Sequence, residues 1–253
     1  RAVGAAGPWD VVVDCGNWEV PSVTSALVSR LVAGGAEVIG PAVAPTGPLH
    51  DIAVPARTDT CSELAQRLNL LSPLLAPPQL LPTFRTPRVP ATLQPFLERV
   101  RARPHAVLVP GGRLGWRRIP PELFAVAARA LAAAGRAVVV AWGPGEEELG
   151  RAVVSASPAA RLAPPTDLDG LAALLAAAGC TVCNNSGPMH LSVAVGAPTL
   201  AFFLKMDPER WGYLEAPNAV VDLSGVIEDR VRAAERVHSA VEAYARGLAS
   251  PAG

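Results

Sequence analysis

Residues 184–190 read Asn-Asn-Ser-Gly-Pro-Met-His and join a short apolar run to a segment with helical character. Pro188 suits the first turn of a helix, and Asn185 or Ser186 suits its N-cap. The free N–H groups of a first turn and the positive end of the helix dipole favour phosphate or carboxylate. The segment by itself fits either an anion-binding helix N-terminus or a capped helix that has no ligand.

Two other loops carry residues suited to a nucleotide diphosphate. Residues 110–119 contain Arg113, Arg117 and Arg118, and guanidinium groups bind phosphate oxygens bidentately. The alternative for these arginines is a solvated basic loop.

The second of these loops is residues 142–148, with the sequence Trp-Gly-Pro-Gly-Glu-Glu-Glu. Gly143 and Gly145 permit close backbone approach, and a carboxylate of Glu146, Glu147 or Glu148 is suited to accept hydrogen bonds from ribose hydroxyls. The alternatives are a solvated first turn whose charges complement the helix dipole, and a Trp142 that is part of the core instead of a base-stacking platform.

The elements that must position these loops alternate between apolar runs and helical patterns. We expect strands at residues 9–15, 36–39, 106–109, 137–141, 180–183 and 199–203. Helices are expected at residues 22–33, 58–71, 93–102, 146–155, 167–178 and 224–248, with others opening at Pro120 and Pro188. Thr166, with Asp169 three residues later, resembles a capping box. The pattern predicts an α/β protein with a doubly wound parallel sheet.

Ligands of such sheets bind outside the carboxyl ends of the strands. That rule selects the loops at residues 110–119, 142–148 and 184–190. If their strands are neighbours in the sheet, the three loops converge on one crevice.

A proline-rich passage divides the chain. We expect a partial N-terminal α/β domain at residues 1–72, a connector at 73–92, a ligand-binding domain at 93–223, and a C-terminal helix and tail at 224–253. The alternative for the connector is a proline-rich recognition tail. The final helix could pack on the rest of the chain or mediate dimerisation.

Composition excludes several classes of protein. The 253 residues are 50% hydrophobic and 17% charged, with a formal net charge of +0, so no broad attraction to nucleic acid is expected. The apolar runs are shorter than the roughly 20 residues that span a bilayer, and no signal-peptide pattern opens the chain. A cytoplasmic location is the expectation, and no pattern calls for a metal or other cofactor.

The pair Cys180 and Cys183 forms a C-x-x-C, which is compatible with a redox motif or half of a zinc site. Positions three apart in a strand point to opposite faces, however, and no second cysteine pair accompanies them. Two buried structural cysteines are expected. The chain also lacks the G-x-G-x-x-G and G-x-x-x-x-G-K-[ST] fingerprints, so a Rossmann dehydrogenase and a P-loop NTPase lose support.

Taken in order, four blocks of the sequence resemble glycosyltransferase family 9, the heptosyltransferases of the lipopolysaccharide inner core. They are Val109-Pro110-Gly111-Gly112, Arg117-Arg118-Ile119-Pro120, Gly143-Pro144-Gly145-Glu146, and Asn185-Ser186-Gly187-Pro188-Met189-His190 followed by Gly196-Ala197-Pro198. The similarity runs over about residues 106–213 and is most specific in its last block. Residues 9–71 resemble the later part of the family's N-terminal domain more weakly.

The resemblance implies a fold of the GT-B type, with two Rossmann-like domains. It implies an inverting transfer of a heptose-like sugar from an ADP-activated donor to a lipopolysaccharide-core or similar glycan acceptor, with peripheral association with the cytoplasmic membrane face left open. The residues that match the donor site are Arg117, Gly143, Glu146, Asn185, Ser186, Gly187 and His190. Ser186, Gly187 and Arg117 match diphosphate-binding positions, Glu146 matches a ribose ligand, and the role of His190 is open.

The chain departs from the family pattern at three places. Asn185 stands where the family usually has Asp, Arg117 replaces Lys, and Ile119 replaces Trp. The family's acceptor-side base lies on an opening strand and loop, so we expect that base upstream of Trp9. Three readings stay open: a heptosyltransferase, a donor-binding module without catalysis or a degenerate enzyme, and another nucleotide-sugar enzyme such as an epimerase.

Overall fold

The computed structural model describes residues 9–75, 83–85, 87–102 and 104–249. The chain divides into two compact units, Arg1–Leu80 and Leu81–Gly253. Each unit is built on a parallel sheet with helices, which confirms the predicted α/β class. The proposed borders at residues 72, 92 and 223 stay a prediction, and residues 76–82 and 86 of the predicted connector at 73–92 lie outside the described residues.

The first unit contains a three-stranded sheet in the order β1-β2-β3. Its elements are β1 (Val11–Val13), α1 (Val23–Ala33), β2 (Glu37–Pro41), β3 (Ile52–Val54) and α2 (Glu63–Asn69). The predicted helix at residues 58–71 is therefore shorter than expected. The side chain of Gln66 explains the difference, because it binds the backbone of Arg57 and Thr60 and holds that stretch as a loop.

A buried polar pair lies in this unit. Nε2 of His50 lies 3.0 Å from Oδ2 of Asp14, and the two side chains are 0% and 2% exposed. The hydroxyl of Ser25 on α1 donates to Oδ1 of Asp14 at 2.6 Å. The imidazole lies against Gly40 of β2, where any Cβ would overlap the ring. The pair therefore ties the end of β1 to α1 and to the segment before β3.

The second unit contains a six-stranded parallel sheet in the order β6-β5-β4-β7-β8-β9. Its strands are β4 (His105–Val109), β5 (Ala137–Val140), β6 (Ala160–Leu162), β7 (Cys180–Asn184), β8 (Thr199–Phe203) and β9 (Ala219–Asp222). Its helices are α3 (Gln94–Arg101), α4 (Pro121–Ala133), α5 (Glu147–Ala156), α6 (Leu168–Ala176), α7 (Gly187–Ala194), α8 (Pro208–Trp211) and α9 (Arg230–Ala249).

The central strands β4, β7 and β8 are buried at every residue, because helices cover both faces of the sheet. One face packs against side chains of α4, α5 and α9, such as Phe124 and Val237. The other packs against α3, α6 and α7 through residues such as Leu174 and Met189. The final helix, whose packing the sequence left open, belongs to the same unit as α4 and shares its core.

Helix boundaries correct two predictions. Asp167, not Thr166, is the N-cap of α6, because its carboxylate accepts the Gly170 N–H at 2.7 Å while Asp169 pairs with Arg85. The final helix begins at Arg230 instead of residue 224, because the side chain of Asp229 accepts the N–H groups that follow it.

Cys180 and Cys183 pack into opposite faces of the sheet, as predicted. Both are buried free thiols, and burial raises the pKa of Cys180 to about 11 and that of Cys183 still further. Since the thiolate is the metal ligand and the nucleophile, both cysteines are structural. Across the described ranges, each helix is too short or too polar to cross a bilayer.

Candidate functional site

The strand order brings the three predicted loops to one edge of the second sheet. Strands β5, β4 and β7 are direct neighbours, so the loops at residues 142–148, 110–119 and 184–190 leave the same edge side by side. The three loops were predicted to converge if their strands were neighbours in the sheet, and the strands are neighbours. The site can therefore be built from the contacts among these loops.

Gly112 is the residue at which all three loops meet. Its N–H donates to Oε1 of Glu146 at 2.8 Å, which links the loops after β4 and β5. Its φ is +154°, and a Cβ there would lie 3.0 Å from Cβ of Ser186, which begins α7 after β7. A side chain at this position would strain the backbone and press on the start of α7, so glycine is required for the close approach.

Glu146 is the N-cap residue of α5, but its side chain does not cap the helix. The carboxylate instead turns to the loop after β4, where it accepts hydrogen bonds from Gly112 and from Nη2 of Arg118, the latter at 3.0 Å. It fills the space beside Gly111, where any Cβ would overlap Oε2. Glu146 is thus held in place with its carboxylate 18% exposed at the crevice.

Asn184, the last residue of β7, fixes the loop after β4 from the other side. Its Nδ2 donates to the carbonyl of Pro110 at 2.7 Å, and its Oδ1 accepts the N–H of Ile119 at 3.0 Å. The side chain is fully buried, so both amide atoms are matched with partners where water cannot replace them. Asn184 therefore closes the loop of residues 110–119 at both of its ends.

Helix α7 starts at this edge of the sheet without a side-chain cap. Ser186 is its N-cap in an extended conformation, yet the hydroxyl makes no capping bond and donates to the carbonyl of Asn184 at 3.3 Å. Gly187 is exposed, and a Cβ there would contact nothing within 4 Å. Pro188 has no N–H and that of Met189 donates to the carbonyl of Ser186 at 3.0 Å, so Gly187 supplies the backbone donor of this N-terminus, an arrangement that suits an anion.

Two polar groups of the site are buried without a hydrogen-bond partner in the described part of the chain: Nδ2 of Asn185 and Nε of Arg117. Asn185 is 2% exposed, directly before the helix start. The guanidinium of Arg117 lies over the ring of Trp116, 4.8 Å from its centroid. A buried donor without an acceptor costs about 1–3 kcal/mol, which an oxygen-rich ligand would offset.

His190 lies in the first half of α7, and its Nδ1 is 2.8 Å from the hydroxyl of Tyr213. The two rings pack edge to face with centroids 5.6 Å apart. Burial, and secondarily the positive charge of Arg117, lowers the pKa of His190. Burial raises the pKa of Tyr213. The pair is therefore neutral at pH 7, with Arg117 close enough to act on the imidazole.

The structure thus brings the predicted residues together at one edge of the sheet. Other predicted members have structural partners. Trp142 is half-buried, and its Nε1 donates to the carbonyl of Ala163 at 3.0 Å. Glu147 pairs with Arg151 along α5. The carbonyl of Gly143 accepts the N–H of Glu146. A Cβ at Gly143 would lie 3.0 Å from Oε2 of Glu146, so the absence of a side chain leaves room for that carboxylate.

Sequence reasoning missed four residues of this site: Gly112, Arg118 as a partner of Glu146, Asn184 as a clamp, and Tyr213. Gly112 ends the first block that carries the family resemblance and Asn184 stands directly before the last block, so their positions at strand ends were the available signal. Tyr213 had none, because it follows the four-residue helix α8 in an irregular segment.

The chain matches a family model and several solved structures. The model of glycosyltransferase family 9 (heptosyltransferase) matches residues 81–236. No curated protein matches the chain.

Solved structures share the fold at low sequence identity. The Escherichia coli heptosyltransferase WaaC with ADP matches with a TM-score of 0.71 and 21% identity, over 94% of this chain and 74% of that one. The E. coli ADP-heptose lipopolysaccharide heptosyltransferase II matches with a TM-score of 0.67 and 20% identity, over 96% and 78%. A Veillonella parvula family 9 protein matches with a TM-score of 0.64 and 18% identity, over 94% and 76%. These likenesses confirm the predicted GT-B fold class.

Proposed function

Because the chain belongs to glycosyltransferase family 9, the heptosyltransferases, we propose that it transfers a heptose-like sugar from an ADP-activated donor. The acceptor in this proposal is a lipopolysaccharide core or a similar glycan, and the transfer inverts the anomeric carbon. The observation that carries the proposal is the meeting of three loops around an uncapped helix N-terminus, with the Nε of Arg117 and the Nδ2 of Asn185 buried and unpartnered among the described residues.

The diphosphate is assigned to the start of α7. The N–H of Gly187, the Ser186 hydroxyl and the guanidinium of Arg117 supply donors for phosphate oxygens. In a displacement at the anomeric carbon, negative charge grows on the leaving diphosphate. Donors that are already oriented toward those oxygens stabilise that charge without reorganisation.

The rest of the donor is assigned to groups around that centre. Glu146 has one carboxylate oxygen engaged by Gly112 and Arg118, and its partial exposure leaves acceptor capacity for a ribose hydroxyl beside Gly143. The buried amide of Asn185 supplies a neutral donor for a sugar hydroxyl. Support for ADP comes from WaaC, which was solved with ADP and with ADP-2-deoxy-2-fluoro heptose.

The acceptor and the location rest on family membership alone. A lipid-linked glycan acceptor would place the protein in the cytoplasm, in peripheral contact with the membrane face where that lipid is made. The acceptor hydroxyl needs a general base to take up its proton.

Arg117→Ala tests the donor assignment through the binding of ADP, measured by calorimetry. Loss of a charge-assisted contact should weaken binding by about 10- to 150-fold. Arg99→Ala is the matched control, since Arg99 is an exposed arginine of α3, outside the three loops, and it should leave the affinity within about twofold. Equal affinity in Arg117→Ala and the parent protein would refute the assignment.

A further inference from the structure

Tyr213 reaches the proposed donor site from outside the three loops that form it. It follows α8, beyond the end of β8, and its hydroxyl lies 2.8 Å from Nδ1 of His190. The edge-to-face packing of the two rings, at 5.6 Å, holds the imidazole plane as well as its nitrogen. One side chain therefore controls both the orientation and the hydrogen bonding of His190.

The direction of this hydrogen bond decides what the other imidazole nitrogen can do. A neutral imidazole carries its proton on one nitrogen only, so a bond donated by the tyrosine to Nδ1 leaves the proton on Nε2. The opposite direction would place a lone pair on Nε2. Among the described residues no hydrogen bond engages Nε2, which leaves it available to a ligand at the start of α7.

We propose that Tyr213 is a positioning residue, which holds His190 in the tautomer protonated at Nε2, so that His190 serves as a neutral hydrogen-bond donor to the donor diphosphate. The inference rests on the proposed function for its ligand, but the tautomer is a property of the ligand-free protein. Under this proposal His190 is neither a general base nor a source of positive charge, and Arg117 supplies the charge instead.

The electrostatics of the pair agree with this direction. Burial keeps the Tyr213 hydroxyl protonated because it raises the pKa of the phenol, so a donor proton is available. Burial and the nearby Arg117 lower the pKa of His190, which favours a neutral ring with one nitrogen able to accept a hydrogen bond. A phosphate oxygen facing Nε2 would be repelled by a lone pair and attracted by an N–H, which favours the same tautomer.

The test is long-range ¹H–¹⁵N NMR of the imidazole rings of the full chain, which has four histidines, with His190→Gln used to assign the resonances. The ligand-free parent should show His190 as the single Nε2–H tautomer. Tyr213→Phe keeps the ring and removes the hydroxyl, so the tautomers should mix and ADP should bind about 3- to 10-fold more weakly. Tyr244→Phe is the matched control, because it removes the hydroxyl of the chain's other tyrosine, which bonds to Pro217.

A parent protein protonated at Nδ1, or a Tyr213→Phe protein with unchanged tautomer and unchanged ADP affinity, would overturn the inference. The two proposals can also fail separately. If the tautomer changes as expected but the parent does not bind ADP, the positioning of His190 stands and the donor-site assignment fails. If ADP binds and Tyr213→Phe does not alter the ring, the donor site stands and the positioning role fails.

Discussion

The N–H of Gly112 and the carboxylate of Glu146 form a 2.8 Å hydrogen bond that joins the loops after two neighbouring strands. Neither residue belongs to the helix N-terminus that faces the crevice. The same carboxylate also accepts from Arg118, and Gly112 lies where an added Cβ would come within 3.0 Å of Cβ of Ser186. The site is therefore a set of mutually supported loops, and we expect it to respond to changes that do not touch a ligand.

Gly111→Ala should break this support. Its Cβ would overlap Oε2 of Glu146, so the carboxylate must swing away and lose its bonds to Gly112 and Arg118. We expect the free energy of unfolding to fall by about 1–3 kcal/mol and ADP binding to weaken. Urea denaturation and calorimetry measure the two effects. Gly115→Ala is the control on the same loop, where a Cβ meets nothing within 4 Å. If both variants behaved alike, the bonds of Glu146 to Gly112 and Arg118 would not support the loop.

Asn184→Asp should destabilise the second unit although it changes one atom. The new carboxylate oxygen would face the carbonyl of Pro110, which now accepts the Nδ2–H at 2.7 Å, in a site that is fully buried. Loss of the bond and burial of a charge without a partner should cost about 3 kcal/mol or more. Thermal unfolding measures it, with Asn218→Asp as the control outside the site. An unchanged melting temperature would mean that Asn184 is not a clamp.

Gly40→Ala should destabilise the first unit. A Cβ on Gly40 would overlap the His50 ring, which must then move away from Oδ2 of Asp14 and leave the Ser25 hydroxyl as the partner of that buried side chain. Breaking a buried pair in this way costs about 3–5 kcal/mol. Hydrogen exchange of the β1 to β3 amides should accelerate strongly, whereas Gly35→Ala, with no atom near its Cβ, should leave them unchanged. Protection equal to that of the parent would contradict the packing around His50.

The stability of the protein should depend on pH through His190. Burial, with a smaller effect of Arg117, lowers its pKa from the ordinary 6.5 in the folded state. Between that lowered value and 6.5 the unfolded chain binds more protons, so stability rises with pH across this window. The contribution is complete above pH 6.5 and is lost as the pH falls through the folded-state pKa.

His190→Gln removes this titration. The free energy of unfolding of the parent, minus that of the variant, should decrease as the pH is lowered from 7 to 5 in urea denaturation series. Parallel curves for the two proteins would show that the pKa of His190 is not lowered by folding.

The local elements could be predicted from the sequence because their signals are local. Ser22 caps α1 and Gly34 ends it at a φ of +62°, and the apolar runs of β4, β5, β7 and β8 are buried where their pattern placed them. The strands at residues 52–54, 160–162 and 219–222 were missed. They have only three or four residues at or near a sheet edge, too few for a period to be recognised.

The site was predictable only in outline, because its contacts join distant parts of the chain. The bond from Asn184 to Pro110 spans 74 positions and depends on β4 pairing with β7, which the sequence pattern does not specify. The partner of Glu146 could not be predicted from the sequence either. A carboxylate in a first helical turn looks the same in sequence whether it complements the helix dipole, binds a ribose or, as here, bonds to Gly112.

We propose that the second unit holds a donor site selective for an adenosine diphosphate. The most direct test is a calorimetric titration of the full chain with ADP, UDP, GDP and inorganic phosphate under one set of conditions. We expect ADP to bind at least about tenfold more tightly than the other three, a difference of about 1.4 kcal/mol. A folded protein that binds none of the nucleotides, or binds all three equally, would contradict the account.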